Sequence, residues 1–80
     1  MEKYVVVIKY NFDVDKPTWA CDTHEEAWRK LLEVLEFERQ VVIRESEYEP
    51  EVEIFEDCHE ATFHYDKGDE AEYFIIRIEL

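Results

Sequence analysis

From Thr18 to Glu49 the chain contains neither proline nor glycine. Nothing in that span forces a helix to break. Within it Ala27, Leu31, Val34, Leu35, Val41 and Val42 recur at helical spacing, with Trp28 on the flank of the stripe. Thr23 is the expected N-cap, and Glu26, three residues on, completes a capping box. Glu25 and Glu26 also suit the positive end of the helix dipole. The pattern predicts one long helix from Thr23 to about Ser46. The β-branched stretch within Gln40–Ile43 leaves one alternative open: a helix stopping near Arg39, then a strand at Val41–Arg44.

Around that helix the chain reads as strands. Lys3–Tyr10 is β-branched and aromatic. Asn11, Asp13, Asp15 and Pro17 supply turn chemistry, and Thr18–Cys21 returns as a short second strand. After Pro50, Val52 and Ile54 alternate with Glu51 and Glu53. Glu56–Glu60 is a turn. Ala61, Phe63 and Tyr65 then alternate with Thr62 and His64. Gly68, the sole glycine, marks a tight hairpin turn before a last strand at Ala71–Leu80. The order β-β-α-β-β-β predicts an α+β fold, a two-layer sandwich. Its sheet is mainly antiparallel and five-stranded, in the order 2-1-5-4-3, with the first and last strands central and the helix on one face.

That geometry assigns faces. Tyr4, Val6, Ile8, Phe74, Ile76 and Ile78 are expected under the helix. Val5, Val7, Tyr73 and Ile75 are then expected on the open face, as an apolar patch suited to self-association, for instance a homodimer.

Eighty residues make a single domain, 1–80. An apolar fraction of 46%, with five Phe, five Tyr and two Trp, is too high for a disordered acidic tail. Two cysteines are too few for a disulfide scaffold. The apolar run near the N-terminus is too short for a secretory signal, and no run is long enough to span a membrane. A reduced, cytoplasmic protein is the expectation.

Charge narrows the function. The chain carries 22 acidic and 9 basic residues, for a formal net charge of −13. Between Arg44 and Lys67 it has Glu45, Glu47, Glu49, Glu51, Glu53, Glu56, Asp57, Glu60 and Asp66, and no Lys or Arg. Such a field repels nucleic acid and anionic membrane and attracts basic proteins. Glu47, Glu49, Glu51, Glu53, Glu56 and Asp57 are the expected partner-binding residues. Carboxylates on alternate strand residues stand about 6–7 Å apart, close to the spacing of successive phosphates. A surface of that kind fits the basic groove of a nucleic-acid-binding protein. The competing reading is a solvated face that keeps a small domain soluble and its edge strand unpaired.

Catalytic chemistry is sparse. Ser46 is the only serine, no glycine loop can cradle a phosphate, and neither cysteine has a cationic chain neighbour to lower its pKa. A non-enzymatic protein without a cofactor is expected. Cys21 and His24 have Cys-x-x-His spacing, and Cys58, His59 and His64 lie in and after a turn, so a small zinc-binding module is one alternative. Adjacent residues such as Cys58 and His59 seldom ligate one ion together. Asp13 and Asp15 form a D-x-D pair without the Gly and the terminal Glu of a calcium loop, and read as turn residues.

Four segments together carry a resemblance: Lys9-Tyr10-Asn11-Phe12-Asp13, Asp22-Thr23-His24-Glu25-Glu26-Ala27, Ile54-Phe55-Glu56-Asp57 and Tyr73-Phe74-Ile75. They are similar to small acidic proteins from phages and mobile elements of Firmicutes. The resemblance implies a mobile-element setting, in which small acidic proteins often inhibit host defence as anti-CRISPR or anti-restriction proteins. It implies no catalytic residues.

Overall fold

A computed structural model describes residues 1–12, 16–46 and 48–80. Asp13, Asp15 and Glu47 fall outside the described residues, so the D-x-D pair and one expected partner-binding residue have no structural account. The two longest strands, β1 (Glu2–Tyr10) and β5 (Glu70–Glu79), pair antiparallel at the centre of the sheet. β2 (Lys16–Cys21) flanks β1, and β4 (Glu60–His64) and then β3 (Glu51–Phe55) flank β5. The order is β2-β1-β5-β4-β3, with every neighbouring pair antiparallel. One helix, α1 (His24–Ser46), packs on one face. This is the α+β arrangement and the strand order that the sequence predicts. β2 begins two residues earlier than expected and includes Pro17, which has no N–H to give and is tolerated because β2 is an edge.

The start of α1 is fixed by its cap. The Glu26 N–H donates to Thr23 Oγ1 (3.1 Å) and the Ala27 N–H to the Thr23 carbonyl (3.1 Å). The Glu26 carboxylate accepts from the Asp22 N–H (3.2 Å), one residue earlier than in a regular capping box. The helix runs through Val41–Ile43 to Ser46, so the alternative strand at Val41–Arg44 does not form. Val42 packs against the core, and that burial outweighs the small helix-propensity cost of a β-branched residue.

The core consists of Val6 and Ile8 from β1, Ala27, Leu31 and Leu35 from α1, Ala61 and Phe63 from β4, and Ala71 and Tyr73 from β5. This corrects the assignment of β5. Val5 lies opposite Ile76 and Val7 opposite Phe74, whereas Val6 lies opposite Ile75 and Ile8 opposite Tyr73. Directly opposed residues share a face. Tyr73, only 1% exposed, and Ile75 therefore lie under the helix, and Phe74, Ile76 and Ile78 face the open side with Val5 and Val7. Both faces of β5 are apolar at its middle, so alternation alone leaves the choice undetermined, and a one-residue shift inverts every side chain.

The β4–β5 connection holds a single 3-10 turn over Asp66–Gly68, with Lys67 (φ 63°) and Gly68 (φ 81°) both left-handed. Asn11 ties this turn to the end of β1. Its N–H donates to the Glu70 carbonyl (3.1 Å), and its side-chain oxygen accepts from the Glu70 N–H (2.9 Å). Among the described residues no helix is long and apolar enough to cross a membrane.

Candidate functional site

α1 lies chiefly against β1, β2 and β5. The far edge of the sheet, β3, thus reaches beyond the helix. Val52 opposes Phe63 and Ile54 opposes Ala61, both core residues, so Val52 and Ile54 point to the helix side. Glu51, Glu53 and Phe55 point to the open side. Between α1 and β3 runs a groove of about 340 Å³ lined by Leu32, Leu35, Glu36, Arg39, Val52 and Ile54. Ile54 is 49% exposed there.

The acidic stretch surrounds this edge. Glu45, Glu49, Glu51, Glu53, Glu56, Asp57, Glu60 and Asp66 are all exposed. Among the described residues, Glu45, Glu51, Glu56, Asp57 and Glu60 form no ion pair, and Glu49 approaches only Arg39 (3.8 Å). Five of the six expected partner-binding residues are therefore solvent-facing, on β3 or in its flanking loops, and the sixth, Glu47, is undescribed. The one cation lining the groove, Arg39, is already engaged. Its Nε and Nη2 donate to the two Glu36 carboxylate oxygens (2.9 and 2.8 Å). This pair, aided by Gln40, holds the Glu36 carboxyl down at about 2.

Beside the edge, His64 Nε2 sits 2.6 Å from Glu53 and its Nδ1 3.4 Å from Glu70. The hydrogen bond to Glu53 raises the His64 pKa above its ordinary value, and the Glu53 and Glu70 charges add to that effect. Tyr65 donates its hydroxyl proton to Glu38 of α1 (3.1 Å), a bond that ties the end of β4 to the helix.

The five residues of the zinc alternative do not assemble into one site. His24 meets His59 instead, Nδ1 to Nδ1 at 3.0 Å, and the Trp28 indole stacks on His59 (centroids 4.8 Å, planes 11° apart). His64 is on the open face with its glutamates, and Cys58 is exposed in the β3–β4 turn. Among the described residues no three of His, Cys, Asp and Glu are placed to hold one metal ion. Cys21 is half-buried, and burial first and then Glu26 push its thiol pKa up, which disfavours the thiolate a nucleophile needs.

The carboxylates are legible as a one-sided charge run. The groove is not, because Leu32 and Leu35 read only as helix stripe or flank, and Val52 and Ile54 only as strand. On β5 the charged residues divide between the faces, Glu70 and Glu72 with Phe74, Ile76 and Ile78 and Arg77 and Glu79 with Tyr73 and Ile75, so only the register with β1 decides which face is covered. Comparison with known protein families, with curated proteins and with solved structures finds no match.

Proposed function

We propose that this chain is a non-enzymatic protein-binding domain whose β3 edge, with its flanking loops, engages a basic partner. The observation that carries the reading is the exposure of every described carboxylate from Glu45 to Asp66 with almost no cation beside them. Leaving these charges uncompensated costs the monomer some self-repulsion and offers a basic protein a preformed counter-surface. Glu51 and Glu53, two residues apart on one face of a strand, stand about 6–7 Å apart along it. That spacing favours a partner built to grip phosphates, a nucleic-acid-binding protein that this domain blocks. A mobile-element inhibitor of host defence is the setting in which such a block is useful. The test is capture of partners by the tagged protein and by a variant carrying Glu51→Lys, Glu53→Lys and Glu56→Lys, each washed with rising salt. A basic protein retained by the wild type, released by salt and absent from the variant is the expected result. Equal retention by a variant with unchanged circular dichroism overturns the reading.

A second reading rests on the open face. Val5, Val7, Phe74, Ile76 and Ile78 share the open face, where Val5 and Val7 are already buried among their neighbours and Ile76 and Ile78 are 39% and 38% exposed, so the apolar surface left there is centred on β5 and not on the expected Val5 and Val7. In that reading the chain is an accessory module that self-associates there, and its charge serves solubility. The Ile76→Lys variant, changed at an exposed position of that face, would then sediment more slowly than the wild type, and salt would barely change the wild-type assembly.

A further inference from the structure

Among the described residues β3 pairs with β4 alone, so its outer side presents the unpaired alternate N–H and C=O groups of an edge strand. Beneath that edge, on the helix side, lies the groove lined by Leu32, Leu35, Val52 and Ile54. Above it, on the open side, stand Glu51, which forms no ion pair among the described residues, and Glu53, one of whose oxygens is engaged by His64 (2.6 Å). A strand added to β3 would send alternate side chains into these two environments, one set into the apolar groove and the other beside the carboxylates. A second copy of this chain is a poor occupant. A two-fold pairing centred on Glu53 sets that residue against itself, and one centred on Val52 sets Glu51 against Glu53, and like charges directly opposed destabilise a pair. One centred on Ile54 opposes Glu53 to Phe55, avoids that repulsion, and gives the carboxylates no counter-charge.

We propose that the occupant is an extended segment of a partner in which apolar and basic residues alternate, and that it adds to the sheet as a sixth strand along β3. Its apolar side chains fill the groove against Leu32 and Ile54, and its Lys or Arg side chains meet Glu51 and Glu53. Main-chain hydrogen bonds to β3 hold the segment, and the alternation sets its register. This inference deepens the proposed function and rests on it: the basic partner is recognised by shape and strand pairing as well as by charge.

Two labelled eight-residue peptides of one composition test it, one with lysine and valine alternating and one with four lysines followed by four valines. Fluorescence anisotropy against the intact protein is the readout. The alternating peptide is expected to bind about tenfold more tightly, the ratio that burial of one or two small apolar side chains supplies. Ile54→Asp should erase the difference. N-methylation of alternate peptide nitrogens, which leaves the protein untouched, should abolish binding in one register and spare it in the other. Equal, salt-sensitive binding of both peptides overturns strand addition and leaves the electrostatic reading standing. Failure of both to bind at low salt overturns the two together. Salt-stable pairing of two copies through β3, with the peptide excluded, also overturns the proposal.

Discussion

The half of the sheet beneath the helix and the half that extends past it are made of the same kind of strand and serve opposite ends. Under α1, β1 and β5 bury Val6, Ile8, Ala71 and Tyr73 against Ala27, Leu31 and Leu35, and almost nothing polar intrudes. Past α1, β3 has the same alternation, yet Ile54 is half-exposed and its neighbours Glu51 and Glu53 face water. The difference comes from where the helix lies and owes nothing to strand propensity. The first half carries the stability of a domain with little to spare. The second is spared that task and is free to present charge and an unpaired backbone edge.

The comparison can be broken by substitutions on either side. The largest effect is expected in the covered half. Phe63 is fully buried, and Phe63→Ala should cost about 3–5 kcal/mol in urea unfolding. A domain of this size has only about 4–12 kcal/mol in all. Ile54→Asp, on the other side, should change unfolding by less than about 1 kcal/mol, as surface substitutions do, while removing recognition of the alternating peptide. A large loss of stability from Ile54→Asp would erase the distinction between the halves. An intermediate effect is expected at the helix start, where Thr23→Ala removes the acceptor for the Glu26 N–H and should cost about 1 kcal/mol.

The smallest effect is pH-dependent and belongs to the open face, where His64 of β4 meets Glu53 of β3. The folded-state pKa of His64 lies above the ordinary value, first through its hydrogen bond to Glu53. Protonated His64 therefore stabilises the fold fully below a pH of about 6.5. That contribution is lost as pH rises through the raised value. The pair is partly exposed, so solvent screens it and the change should be slight. Titration of the His64 ring by NMR should give a raised midpoint that falls toward the ordinary one in Glu53→Gln, with Glu70 still holding part of the rise. A midpoint unchanged by Glu53→Gln would remove the pairing from the account.

How much of this was legible in the sequence depends on the range of the interaction. The cap at Thr23, the uninterrupted helix and the order of strands follow from local pattern and from which strands are longest and most apolar. The end of the helix was ambiguous because Val41–Ile43 suit a strand locally, and only the packing of Val42 on the core decides it. The covered face of β5 is not legible, because Tyr73, Phe74, Ile75 and Ile76 are apolar in succession and the register with β1 is a tertiary fact. The carboxylates of the candidate site could be named from sequence. The groove beside them could not, since it exists only because α1 lies chiefly against β1, β2 and β5 and leaves Val52 partly covered and Ile54 exposed.

The central claim is that the half of the sheet beyond the helix is the working surface. Titration of the isotope-labelled protein with the alternating lysine–valine peptide, followed by amide chemical shifts, tests it most directly. Shifts are expected along Glu51–Phe55 and from Leu32 to Arg39, with Val5, Val7, Phe74 and Ile76 unmoved. Shifts centred on Val5 and Ile76, or none at low salt, would contradict it.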